Sequence, residues 1–167
     1  KDDDGRASYI SNCQNLLDNG YTPSLATDYT ISNLTTSERQ ELATLVQGIR
    51  RAPTKNLSAL FRRAGTIGFV VDWTKKIHKT RLIHSVYIYS GKKNQETLLE
   101  FFITNGDEMF IQRGHSYYRN TQLLNPLSAL IASKRVSDND LQAKQRFISL
   151  GSCGGIRAYT RLNEMFR

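Results

Sequence analysis

The chain has 167 residues, 39% hydrophobic and 23% charged, with a formal net charge of +8. That is a globular composition: it excludes a disordered, collagen-like or coiled-coil chain, and the length suits one domain whose core needs no metal or disulfide staple. With no apolar run of about 18 residues, no transmembrane segment is expected. No apolar stretch follows Lys1-Asp2-Asp3-Asp4, so no signal peptide is expected in this segment, which reads as cut at both ends from a longer chain and leaves the compartment open.

In chain order, Tyr9, Cys13, Leu16 and Leu17 recur at helical spacing and predict a helix over residues 6–18, stopped by Gly20. Residues 21–33 are polar and loop-like. A second helix is predicted over 36–51, with Thr35 and Glu38 as a capping box and Leu42, Leu45, Val46 and Ile49 inward. A third runs over 56–64 to Gly65. The period then changes: 66–73 and 82–89 are rich in Val, Ile and aromatic residues and read as strands, with the basic link 74–81 as a hairpin tip. A helix over 94–105 follows, then a strand over 108–113. Pro126 opens a helix to about residue 135, 137–144 is polar, 146–150 is a strand and 156–166 a helix. From residue 82 onward strand and helix alternate, which argues an α/β fold with an open, mostly parallel sheet flanked by helices. Residues 1–167 are thus expected to form a single domain, with 34–93 as a basic helical and hairpin insert.

The excess charge is concentrated. Residues 48–93 hold 11 Lys and Arg against one acid, Asp72, while the rest of the chain is slightly acidic. Such a segment is either a patch for nucleic acid, anionic lipid or an acidic partner, or simply a solvated basic face. His78 and His84 lie at no metal-ligand spacing, so neither a metal site nor a cofactor is expected. The two cysteines differ. Cys13 sits at helical spacing among apolar residues and reads as a small core side chain, whereas Cys153 lies in Gly151-Ser152-Cys153-Gly154-Gly155.

Two strands end alike. Met109-Phe110-Ile111-Gln112-Arg113 runs into Gly114-His115-Ser116, and Phe147-Ile148-Ser149-Leu150 runs into the Cys153 loop. In a parallel sheet both carboxyl ends lie on one edge, where open α/β folds place their sites, and adjacent strands are about 4.8 Å apart. The 38 residues from His115 to Cys153 leave room for one helical crossover. An imidazole beside a thiol takes its proton and makes a thiolate nucleophile. Cys153 would attack a carbonyl carbon, and His115 would protonate the leaving amine and then activate water. The amides of Gly114 and of Cys153 or Gly154 would hold the oxyanion. Two other readings stay open: a glycine-rich loop binding phosphate through its amides, and a plain structural turn. Neither nucleotide fingerprint is met, and neither Ser116 nor Ser152 stands in G-x-S-x-G.

The paired motifs, in this order, resemble the caspase-like cysteine peptidases, which include caspases, legumains, gingipains, clostripain and separase. Arg113-Gly114-His115-Ser116-Tyr117 with Leu150-Gly151-Ser152-Cys153-Gly154-Gly155 is similar to bacterial caspase-like domains. The resemblance covers residues 82–166 and the first few, and departs from the family in having Ser116, not Gly, after the histidine. It implies a cysteine endopeptidase with His115 and Cys153 as its dyad and a peptide or protein substrate. By the same resemblance Asp2-Asp3-Asp4-Gly5 looks like the end of a first strand, which would put Asp4 in a pocket for a basic substrate side chain; the other reading of these acids is a solvated turn with charge at the start of the first helix, and Tyr117 either walls the cleft or packs on the sheet. The alternative is a catalytically inactive caspase-like binding or scaffolding domain whose basic segment, 48–93, docks an acidic partner or nucleic acid.

Overall fold

The computed structural model describes residues 3–27, 34–105, 109–113, 120–143, 145–151 and 156–166. The fold is mixed α/β, and the chain gathers into two compact units, Lys1–Ser90 and Gly91–Arg167.

The first unit opens with α1 (Asp3–Asp18). This corrects the strand end that the family resemblance implied and bears out the other reading of these acids, as charge at the start of the first helix. Asp3 and Asp4 occupy the first helical turn, where the positive end of the helix dipole favours acids, and Arg6 pairs with Asp3 at 3.6 Å. A strand β1 (Thr22–Leu25) follows where a loop was expected, and its Pro23 is tolerated because β1 is an edge. Helix α2 (Thr36–Gly48) carries the anticipated capping box: the Glu38 amide donates to the Thr35 hydroxyl at 3.2 Å, and the Thr35 amide donates to the Glu38 carboxylate at 2.8 Å. Helix α3 (Pro53–Ala64) starts at its proline. Gly48 makes the α2–α3 corner possible. A Cβ there would lie 2.9 Å from Asn56 Oδ1, and Asn56 Nδ2 donates to the Gly48 and Ala52 carbonyls, both at 2.9 Å.

Strands β2 (Val70–Ile77) and β3 (Thr80–Tyr87) form a hairpin whose turn is only His78 and Lys79, His78 adopting φ 52°. The three strands are antiparallel in the order β1-β2-β3. Leu25, Val71, Trp73 and Val86 share the face turned to the helices, and there they join Cys13, Leu16, Leu42, Val46, Ile49, Leu57 and Leu60 in one core. Helices α2 and α3 and strands β2 and β3 thus share a core with α1.

The second unit contains α4 (Lys92–Thr104), β4 (Met109–Arg113), a π-helical turn (Asn120–Leu124), α5 (Asn125–Ala132), α6 (Asp138–Gln142), β5 (Phe147–Gly151) and α7 (Ile156–Met165). Strands β4 and β5 pair in parallel. Phe110, Ile148 and Leu150 pack on a core built from Leu99, Phe102, Ile103, Leu123, Leu127, Leu130, Val136 and Leu162. Among the described residues, parallel pairing is confined to these two strands. The strand expected to begin the alternation at residue 82 is β3, and it belongs to the antiparallel sheet, because a two-residue turn joins it to β2 without a crossover.

Candidate functional site

The carboxyl ends of β4 and β5 are in register. Phe110 faces Ile148, Gln112 faces Leu150 and Arg113 faces Gly151. Strand alternation sends Phe110, Gln112, Ile148 and Leu150 toward the core, and Met109, Ile111, Arg113, Phe147, Ser149 and Gly151 to the other side. At the final pair the chains are close: a Cβ on Gly151 would lie 3.3 Å from Arg113 Cγ and 3.4 Å from the Gln112 carbonyl oxygen. Gly151 lets the two strand ends approach to this distance.

Beneath the rim lies a set of amides that sequence reading missed. Gln112 and Gln95 are buried. Gln112 Nε2 donates to Gln122 Oε1 at 3.0 Å, and Gln95 Nε2 donates to the Gln122 carbonyl. These bonds tie the end of β4 and helix α4 to the π-helical turn, on either side of segment 114–119 in sequence. Gln112 Oε1 is buried with no hydrogen-bond partner among the described residues. The signal for this cluster was a polar residue two positions after Phe110, on the face that Phe110 buries.

His115, Cys153, Gly114, Gly154 and Tyr117 lie outside the described residues, as do Ser116 and Ser152. Asp4 is described: it is exposed in the first turn of α1, in the unit Lys1–Ser90, whereas β4 and β5 belong to Gly91–Arg167. Cys13 is the core residue its spacing suggested, fully buried and free. Burial pushes its thiol up to about 12, against the opposing effect of a hydrogen bond with the Tyr9 hydroxyl, and burial also raises the Tyr9 phenol. The Cys13 thiol is neutral at physiological pH and is a poor nucleophile.

The basic segment divides once its side chains are placed. Arg63 pairs with Glu41 at 2.8 Å, Lys92 with Glu96 at 3.9 Å, and Arg50 donates to the Thr22 hydroxyl at 2.7 Å. Lys75 donates to the Asn19 carbonyl at 2.7 Å and lies over the Tyr21 ring. The Tyr21 ring also meets His84 edge-on, with centroids 5.1 Å apart. On the hairpin, Lys76, Lys79 and Arg81 are exposed and form no ion pair among the described residues. Among the described residues no three His, Cys, Asp or Glu side chains gather as a metal site, and no helix is long and apolar enough to cross a membrane. Set against protein-family models, curated proteins and solved structures, the chain matches none.

Proposed function

We propose that the chain carries a caspase-like cysteine peptidase domain with His115 and Cys153 as its catalytic dyad. One observation carries this reading: β4 and β5 pair in parallel with Arg113 opposite Gly151, and His115 and Cys153 each follow those residues by two positions in the sequence. Register at the strand ends is what a two-strand dyad requires, because adjacent strands of a parallel pair differ by only about 4.8 Å. In this mechanism His115 takes the Cys153 proton and the thiolate attacks the scissile carbonyl carbon, with the amides of Gly114 and Gly154 holding the oxyanion. The C–N bond breaks as His115 returns the proton to the leaving amine. Water, deprotonated by His115, then hydrolyses the thioester. Tyr117 serves as a cleft wall. Asp4 is left out, because the strand that would have carried it is the first turn of α1.

Cys13 provides an internal reference for the test. At neutral pH iodoacetamide is expected to label Cys153 at least about tenfold faster than Cys13, whose thiol is buried and protonated. In His115→Ala the Cys153 rate falls toward that of an ordinary thiol. Equally slow labelling of both cysteines overturns the dyad.

A further inference from the structure

The β2–β3 hairpin leaves an edge open. Among the described residues nothing pairs with β3 on the side away from β2, and Thr80 through Ser85 are all exposed. An unpaired edge offers a row of backbone N–H and C=O groups, and proteins usually shorten or shield such an edge. This one is eight residues long. Its surroundings are both basic and apolar: Lys76, Lys79 and Arg81 form no ion pair among the described residues, while Ile77, Leu82 and Ile83 are 41%, 36% and 49% exposed. The one acid of the ribbon, Asp72, accepts a hydrogen bond from Ser85 at 2.6 Å.

The register adds a second, independent argument. Lys76 faces Arg81 directly across the ladder. Like charges opposite one another destabilise a hairpin, so this pair works against the fold that displays it. An incoming negative charge would relieve the repulsion.

We propose that this edge takes an extended, acidic polypeptide as an added strand alongside β3. Main-chain hydrogen bonds would supply the affinity, Leu82, on the face opposite Arg81, would cover apolar side chains of the incoming strand, and Lys76 and Arg81 on the other face, with Lys79 at the turn, would select its charge. Charge complementarity sets the occupant. A second copy laid edge to edge would bring like charges together. Nucleic acid is the weaker fit, since residues 75–85 hold no Phe, Tyr or Trp on which a base could stack, and the exposed Leu and Ile offer nothing to phosphate. A lipid surface fits less well too, because the turn itself is His78-Lys79 and the apolar side chains lie along the ribbon behind it. The inference goes beyond the peptidase reading and holds whether or not the dyad cleaves.

The test uses the whole chain carrying Cys153→Ser, so that no probe is consumed. The probe is a fluorescent peptide of alternating Glu and Val, as long as β3, followed by anisotropy. Binding is expected at low salt and weakens as salt rises. Arg81→Glu is expected to weaken it about tenfold or more while holding or raising thermal stability, because the new carboxylate faces Lys76. N-methylating alternate amides of the peptide, at unchanged charge, abolishes binding for one of the two alternate sets. Undiminished binding of both methylated peptides reduces the surface to simple charge attraction and overturns the proposal. So does tighter binding of a short DNA duplex or of phosphatidylserine vesicles than of the peptide.

Discussion

In the unit Lys1–Ser90 the sheet is antiparallel, and the side away from the helices carries Asp72, Thr74, Lys76, Arg81 and Ser85. In Gly91–Arg167 the sheet is a parallel pair, and its uncovered side carries Met109, Ile111 and Phe147, which are 56%, 49% and 58% exposed. Antiparallel sheets commonly turn one polar face to water, whereas parallel strands are ordinarily covered on both faces. Along β2 the first unit turns Val71 and Trp73 to the helices and Asp72, Thr74 and Lys76 away from them, while on that second face Val70 is buried as well and Ile83 stands exposed. The second unit places apolar residues on both faces of β4, and among the described residues it buries one of those faces. The two units also differ in what holds them. The first rests on one apolar core around a tryptophan, and the second adds polar staples at the strand ends.

The largest expected effect strikes the first unit. Trp73 is fully buried among Cys13, Leu42, Val46, Leu57 and Leu60, and its Nε1 has no partner among the described residues. Among the described residues its contribution is volume and apolar area. Trp73→Ala is expected to cost about 3–5 kcal/mol in urea unfolding followed by circular dichroism. Trp73→Phe, which keeps a ring in the cavity, costs distinctly less. An equal loss from both variants would mean that the indole nitrogen matters and that this core is not purely apolar.

In the second unit the corresponding weak point is polar. Arg146 precedes β5 and donates to three carbonyls: Leu141 at 2.9 Å, Ile103 at 2.7 Å and Asp140 at 2.9 Å. One guanidinium thus ties the end of α4 and the short α6 to the start of β5, with its Cζ over the Phe102 ring, 6.0 Å from the centroid. Arg146→Met keeps most of the aliphatic stem but strands those acceptors. A loss of about 2–3 kcal/mol in the same measurement is expected, smaller than at Trp73. A neutral result would put the hold on β5 in its apolar contacts alone.

Much of this was legible because local rules agreed with tertiary need. Thr35 and Glu38 announce α2, and the apolar spacing from Tyr9 to Leu17 locates α1; the apolar residues over 56–64 place α3, but it opens three residues earlier, at Pro53. The hairpin was only half legible. Residues 74–81 read as a basic tip, but the strands run through them to a two-residue turn. Beyond Trp73 neither face is buried, so the apolar alternation that marks a strand disappears while the ladder continues. Sheet membership was not legible: Leu82 onward reads as the first strand of an alternating series, and only the pairing with β2 shows otherwise. At the site, the two strand ends stand out in sequence as matching motifs. Gln95, Gln112 and Gln122 do not, since a buried amide looks like any other surface glutamine until its partners are placed.

The smallest effect compares the two units by the capping boxes of α2 and α6. Glu38 accepts from the Thr35 amide and hydroxyl, and those bonds hold its carboxyl below the ordinary range. Asp140 accepts from the Ser137 hydroxyl and amide and is lowered in the same way. A group whose pKa is lower in the folded state contributes stability that is complete above its unfolded value, about 4 for a carboxyl, and that fades as pH falls through the folded value. Both caps therefore support the fold at neutral pH and weaken on acidification below about pH 4. Glu38→Gln and Asp140→Asn, melted from pH 7 down to pH 3, are each expected to lose stability at neutral pH and to show a flatter acid limb than the parent chain. The two sites share no partner, so the double variant should show the sum of the two changes. A parent-like acid limb in Asp140→Asn would place the acid sensitivity of the second unit outside the α6 cap.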